Sequence, residues 1–290
     1  MSLRGPPDDR SPAELLEFGV VNLDKPPGPS AHQVAAWVRD LCDVERAAHA
    51  GTLDPKVTGC LPVLTGTATR FSQVFLEGSK EYVSVLELHD EPPADVDAIA
   101  AEFEGPLYQK PPRKSAVSRR LRVREIYELD VLEVRDRRAL LRIRCESGTY
   151  VRKLCHDLGL ALGTGAHMGH LRRTATDPFD DADLVTLHDL SDALGRWREE
   201  GRDDWLRETV LPAERALTHL PSVTVAPSAA AEVAQGAQVY APGVIDADDA
   251  ENDQLVACFT PNGAAVCLGR MVGDPDAETG EVVELERVLV

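Results

Sequence analysis

The spacing of apolar and polar positions changes several times along this chain, and each change marks an element. SPAELLEFG sets a serine before a proline and a glutamate three residues after the serine, which predicts a short helix opened by a capping box. GVVNLDKPPGPS reads as a short strand running into a rigid Pro/Gly turn. Ser30 and Gln33 form a second capping box, and Val34, Val38, Leu41 and Cys42 follow at helical spacing. GCLPVL predicts a buried strand, TATRFSQVFLEG a helix ending at Gly78, and KEYVSVLELHD a strand dense in β-branched residues. DEPPADVDAIAAEFEG reads as a loop and a short helix, with Asp95 as its cap and Gly105 as its stop. Residues 129–134 and 139–145 predict two strands joined across RDRR; Leu141, Ile143 and Cys145 alternate there with Arg142, Arg144 and Glu146. SGTYVRKLCHDLGLALG predicts a helix with Thr149 as cap and Gly163 beyond its end. VTLHDLSDALGRWREEG and DDWLRETVLPAERAL read as further helices.

The pattern changes at Pro221. PSVTVAPSAAAEVAQGAQVYAPGV reads as strand, short helix from a Ser228 cap, turn and strand. The acidic loop DADDAENDQ and the short strands QLVACF, AAVCLGRMV and EVVELERVLV follow. A compact, mostly β module of about 70 residues is expected here, near the lower size limit for folding alone. The whole reads as α+β, a mixed body followed by a small β barrel, with no internal repeat. No run of about 18 apolar residues is present, so no membrane span is expected. MSLRGPPDDR lacks the apolar stretch of a secretory signal, and the expectation is a cytoplasmic protein.

Charge alters this picture. The 290 residues carry 49 acidic and 31 basic side chains, a net −18, and only 6 of the basic ones are lysine. A net negative charge argues against nucleic acid, whose phosphates need cations. The distribution argues otherwise: residues 108–153 hold 14 basic against 6 acidic side chains, whereas 221–290 hold 2 against 12. A basic belt thus sits in an acidic protein. Few lysines and many acids also suggest a halophile's saline cytoplasm, where like charges are screened. The six cysteines form no C-x-x-C pair and have no histidine at zinc-finger spacing, and several lie in apolar runs; free buried thiols are expected.

Candidate chemistry gathers in HAGTLDPKVTGCLPVLTGTATR. Asp54 lies between Leu53 and Pro55, with Gly51 permitting a tight approach on one side. An Asx-turn and a nucleophilic or general-base carboxylate both fit this pattern. His49 fits a cap or a core position equally well. Tyr82 starts a strand, either as a core aromatic or as a surface on which a base stacks. Arg152, one turn into a helix, reads as part of a solvated basic face or as a cation that pairs with a carboxylate. YQKPPRKSAVSRRLRVR carries seven basic residues, a solvated loop or a phosphate-tracking strand. Phosphate-binding, dinucleotide, zinc-protease and serine-hydrolase motifs are missing. His167 and His170 could hold a metal, but no third ligand is evident.

Taken in order, VNLDKPPGPS, HAGTLDPKVTGCLPVLTGTATR, SKEYV, RIRCESGTYVRKLCHDLG and GAHMGHLRRT resemble the successive motifs of the TruB family of pseudouridine synthases. QKPPRKSAVSRRLRVREIY, DPFDDADLVTLHDLSDAL and LPSVTV are similar to the archaeal counterpart of dyskerin, the catalytic subunit of H/ACA guide-RNA particles. The resemblance covers nearly the whole chain after Leu15. It implies an N-terminal extension over 1–15 and a pseudouridine synthase catalytic domain, with a mixed, mainly antiparallel sheet, over 16–220. A small β-barrel-like PUA RNA-binding domain would occupy 221–290. The implied reaction isomerises uridine to pseudouridine in rRNA or tRNA with no cofactor and no metal. Asp54 matches the catalytic aspartate, Tyr82 the tyrosine that stacks on the flipped base, and Arg152 the arginine that pairs with the aspartate. His49 matches the histidine beside the space the nucleotide vacates, and Leu171 an apolar pocket wall. Lys25 and Pro26 match a structural pair in the first motif, with Gly51 structural in the second. Lys110, Arg113, Lys114, Arg119 and Arg120 become candidate RNA contacts. The implied partners are guide and substrate RNA, a small zinc-ribbon-type protein, a Gar-type protein and a kink-turn-binding ribosomal-type protein; no membrane is implied. The acidic end module departs from an RNA-binding expectation unless its RNA face is locally basic or neutral. Two other readings stand beside this one, a stand-alone enzyme acting on the tRNA T-arm and a non-catalytic RNA-binding scaffold.

Overall fold

The computed structural model describes residues 3–111 and 120–290. Two sheets organise the chain. The first is built from β1 (Gly19–Lys25), β2 (Ala47–His49), β3 (Thr58–Thr65), β4 (Lys80–Leu88), β5 (Gly105–Gln109), β6 (Arg122–Arg135), β7 (Arg138–Cys145), β8 (Ala166–Thr176), β9 (Phe179–Asp180) and β10 (Leu211–Pro212). Its order is β10-β1-β3-β8-β4-β7-β6-β5, with β2 beside β3 and β9 beside β8. Only the β3–β8 pairing is parallel, so the sheet is mixed and mainly antiparallel. The second contains β11 (Ser222–Val225), β12 (Val239–Tyr240), β13 (Val244–Ala247), β14 (Leu255–Phe259), β15 (Ala265–Met271) and β16 (Glu281–Val288), in the order β12-β16-β15-β14-β11-β13.

The helices are α1 (Pro12–Glu17), α2 (Ala31–Cys42), α3 (Val96–Ala101), α4 (Val151–Ala161), α5 (Leu187–Glu200), α6 (Asp204–Thr209) and α7 (Pro227–Val233). Ser11 and Ser30 open α1 and α2 with complete capping boxes, and Thr186 opens α5 in the same way. Each box satisfies backbone donors that the first helical turn leaves unpaired. A first hydrophobic core gathers Val34 and Val38 of α2, Leu154 and Leu158 of α4, and Leu190 and Leu194 of α5 with Leu23, Leu86, Leu141 and Ile143 of the sheet. Another cluster joins Phe18, Val20, Leu64 and Phe71 to Leu255, Ala257 and Leu268 of the second sheet. β1 and β3 are therefore buried along nearly their whole length, while β4 alternates buried and half-buried positions.

Several elements differ from the sequence expectation. Gly66–Leu76 is a 3₁₀ helix interrupted at Phe71, not an α-helix. Its buried Ala68, Phe71 and Val74 are three residues apart, which fits three residues per turn. Gly105 starts β5 instead of closing α3, and Asp95 makes no side-chain cap bond. The strand expected over 129–134 begins at Arg122, because its charged first half pairs with β5. Tyr150, not Thr149, precedes α4, and Thr149 instead donates its hydroxyl to the Glu146 carbonyl. α7 starts at Pro227, whose fixed φ suits a first helical position, so Ser228 lies inside it.

Candidate functional site

The loop between β2 and β3 carries Asp54, and buried cations hold it from two sides. Lys25, the last residue of β1, is fully buried. Its Nζ donates to the carbonyls of Pro26, Pro55 and Val57 at 2.9, 3.1 and 2.8 Å. Burial lowers the Lys25 pKa, and the Asp54 charge works against that shift. Gly28 N–H adds a 2.8 Å bond to the same Pro55 carbonyl, and Val57 N–H closes a turn onto the Asp54 carbonyl at 2.9 Å. The KPPG stretch, with Pro26 behind Lys25, thus serves as the seat of the Asp54 loop. On the other side, Arg173 of β8 donates from Nη2 to the Ala50 carbonyl at 3.2 Å and from Nε to Cys60 O at 2.7 Å.

Asp54 forms an ion pair with Arg152, the second residue of α4. The two side chains are 47% and 44% exposed, so the pair adds at most about 1 kcal/mol to stability. Arg152 also sits near a helix N-terminus, where a cation opposes the helix dipole. The pair is therefore better explained by orienting the carboxylate than by holding the fold. α4 starts without a side-chain cap. Gln109, buried at the end of β5, takes that place: its Oε1 accepts Tyr150 N–H at 2.8 Å and its Nε2 donates to Tyr150 O at 3.4 Å.

Tyr82 of β4 is only 8% exposed and lies opposite Arg173 in the β4–β8 register, with Ser84 opposite Leu171. Residues two apart on a strand share a face, so Leu171, Arg173 and Tyr82 lie together. The Ser84 hydroxyl reaches Cys155 Sγ of α4 at 3.7 Å, which sets α4 on this same face. Burial raises the Tyr82 pKa, and the nearby Arg173 guanidinium opposes the shift.

His49 ends β2 and stacks edge-to-face on His32 of α2, with ring centroids 4.6 Å apart. Burial, then the charges of His32 and Arg173, push its pKa down to about 4. The pair lines a pocket of about 420 Å³ together with Ala35, Ala36, Arg39, Ala47 and Ala48. Lys110 and Arg120 are exposed at the two ends of the basic segment; Arg113, Lys114 and Arg119 lie outside the described residues. His167 contacts His89 at 3.0 Å, and among the described residues no cluster of three metal-ligating side chains is found.

The structure thus brings Arg152 onto the loop that carries Asp54 and Gly51 and starts beyond His49, with Lys25 and Pro26 at its seat, and sets Tyr82 and Leu171 on the sheet beside Arg173, which binds the same loop. Sequence reasoning passed over two residues of this frame, Arg173 and Gln109. Arg173 follows another arginine in a polar stretch, which reads as solvated surface; only the register opposite Tyr82 places it inside.

Family models match four segments: a DKCLD domain over residues 5–35, the TruB family pseudouridylate synthase N-terminal domain over 39–95, the tRNA pseudouridylate synthase B C-terminal domain over 152–218, and a PUA domain over 221–289. The chain is 67% identical to a probable tRNA pseudouridine synthase B of Halobacterium salinarum, covering 100% of both. It is 65% identical to the protein of the same name from Haloarcula marismortui, over 100% of this chain and 94% of that one. Among solved structures it is similar to a chain of a Cbf5-Nop10-Gar1 complex, with a TM-score of 0.94 at 43% identity over 100% of this chain and 90% of that one. It is also similar to a chain of an H/ACA RNP bound to a substrate RNA containing 2'-deoxyuridine, with a TM-score of 0.92 at 41% identity over 99% and 90%.

Proposed function

The chain belongs to the TruB family of pseudouridylate synthases, and from that premise we propose that Asp54 isomerises a flipped uridine in an RNA selected by an H/ACA-type guide. The observation that carries this reading is the Asp54–Arg152 ion pair on a loop seated by Lys25, with Tyr82 opposite the arginine, Arg173, that binds the same loop. The reaction breaks the N1–C1' bond, turns the ring, forms a C5–C1' bond and moves the C5 proton to N1. Atoms and electrons balance within the nucleotide. Asp54 supplies the carboxylate, either to C1', to the ring, or as the proton acceptor. Arg152 keeps it aimed; once RNA covers the pair, exclusion of water strengthens this attraction.

Tyr82 stacks on the extruded base and offsets part of the few kcal/mol that flipping costs. Leu171 walls the pocket, and neutral His49 fills the space left in the RNA. Lys110, Arg113, Lys114, Arg119 and Arg120 contact phosphates. We assign the chemistry to residues 16–220, guide-end recognition to the PUA module over 221–290, and a tie between them to 1–15. The Nop10 and Gar1 named in the similar complex are the partner types we assign, together with a kink-turn-binding protein and guide RNA. The six free buried cysteines fit the reducing cytoplasm where we place the reaction. The name shared by the similar halophile proteins favours a second reading, direct action on tRNA.

One assay separates these readings. Uridine-labelled RNA is incubated with the protein, with and without a matching guide and partner proteins. Product that depends on the guide supports the first reading, and product from bare tRNA supports the second. Asp54→Asn is expected to lower the rate by roughly 10⁴-fold or more while leaving RNA binding intact. Full activity in that variant would remove Asp54 from the mechanism.

A further inference from the structure

We propose that Arg173 is the positioning residue of this site, holding the Asp54 loop and the Tyr82 ring in one fixed relation through its buried guanidinium. The inference rests on the reading of Asp54 and Tyr82 given above. Arg173 is 1% exposed and is the largest of the fully buried side chains. Among the described residues it forms no ion pair; its charge is met by backbone carbonyls. Such burial is expensive for a residue whose only task is to fill a core.

Its contacts come from two strands, β3 and β4, and the loop. Nε binds Cys60 O on β3, and Nη2 binds Ala50 O four residues before Asp54. Nη1 lies 3.5 Å from where a Cβ would stand on Gly51, so the glycine lets the guanidinium run close beneath the loop. Tyr82 stands directly across the β4–β8 ladder, close enough for the Arg173 charge to act on its phenol. The backbone of Arg173 is fixed as well: at Gly59, its register partner on β3, an added Cβ would lie 2.1 Å from the Arg173 carbonyl. Lys25 pins the loop after Asp54 and Arg173 pins it before, while Arg173 also sits opposite Tyr82 in the sheet. The titratable groups acting on Tyr82 are Arg173 on β8, Cys145 on β7 and Cys60 on β3. Of these Arg173 carries the positive charge, which opposes the effect of burial on the phenol. Ångström-scale misplacement of a reacting group lowers rates by about 10²-fold.

The test compares Arg173→Lys and Arg173→Met with wild type in single-turnover pseudouridine formation and in RNA binding, with melting curves as the folding control. Wild-type activity establishes the reading on which the inference rests. Given that activity, Arg173→Lys, which keeps the charge but not the fork of donors, is expected to fold. Its rate should fall about 10- to 100-fold with RNA affinity changed less than about twofold. The Tyr82 phenol, isolated by subtracting the ultraviolet titration of Tyr82→Phe, should ionise at higher pH in Arg173→Met and return toward wild type in Arg173→Lys. An unchanged rate in folded Arg173→Lys overturns the inference. So does a rate loss fully accounted for by weaker RNA binding, or a Tyr82 titration indifferent to residue 173. If Arg173→Met does not fold, the lysine variant alone decides.

Discussion

At the scale of single residues, the site holds side chains whose charge states are set by burial. His49 is the clearest case, with a pKa pushed down to about 4 first by burial and then by the charges of His32 and Arg173. At neutral pH its ring is uncharged. The consequence for stability has a definite sign. Between pH 6.5, its ordinary pKa, and about 4, the unfolded chain binds a proton that the folded chain refuses. Stability therefore falls as pH drops through that window and levels off below it. His219, also lowered by burial, adds to the same slope. Chemical denaturation at steps from pH 7 to pH 4 should show this loss, and His49→Gln should flatten part of it. Identical slopes in the two proteins would mean that His49 takes up its proton as readily in the fold as in the unfolded chain. Asp54 and Arg152 follow a different logic: exposed and mutually oriented, they contribute little to stability and are free to serve chemistry.

At the scale of elements, the site depends on how α4 begins. The helix lacks a side-chain cap, and Gln109 at the end of β5 clamps the Tyr150 peptide group just before Arg152. Gln109→Ala removes both bonds to the part-buried Tyr150 backbone, a loss of about 1–2 kcal/mol. Arg152 then loses its fixed base, and we expect roughly a tenfold lower rate with faster amide exchange in the first turn of α4. Unchanged exchange together with an unchanged rate would show that β5 plays no part in the site. None of this is legible in the sequence, where Thr149 is the obvious cap and Gln109 an ordinary polar residue. What was legible is local. The serine capping boxes fix the starts of α1 and α2, the density of β-branched residues marks β4, and period-two alternation marks β7. β8 escaped notice because AHMGHLRRTAT has no alternation to read. It lies in mid-sheet, is bulged against β4, and buries an arginine where an apolar residue is expected. The meeting of Asp54 with Arg152, 98 positions later, is a product of sheet order and helix placement. Spacing along the chain does not encode it; the family resemblance suggested it.

At the scale of the molecule, an acidic module must work with a basic belt, and Arg4 and Arg10 show how the two bodies are held. Arg4 donates to Leu289 O at 3.0 Å and to Thr67 Oγ1 at 2.9 Å, and its guanidinium lies 4.0 Å from the centre of the Phe18 ring. It thereby ties the last strand's exit to the first body. Arg10 makes a two-pronged, buried ion pair with Glu214, at 2.5 and 2.8 Å. The same Glu214 carboxylate accepts Ala265 N–H of β15 at 3.1 Å. One side chain thus joins the N-terminal segment, the connection before the second sheet and the second sheet itself, beside the shared apolar cluster of Phe18, Phe71 and Leu268. On the functional reading above, a guide anchored on the PUA module must deliver its target uridine to Asp54, so the distance between the bodies has to be constant. Glu214→Gln tests this. An amide cannot neutralise Arg10, and a buried guanidinium left without its partner costs about 3–5 kcal/mol. That corresponds to a melting point roughly 10 °C lower for a chain of this size. Stability alone would not prove coupling, so the informative quantity is a ratio. At a temperature where the variant is folded, guide-directed modification should fall well below wild type, while binding of a short guide end to the PUA module stays the same. Equal losses in both would reduce Glu214 to a stabilising contact, and no loss in either would leave the fixed spacing to the apolar cluster alone.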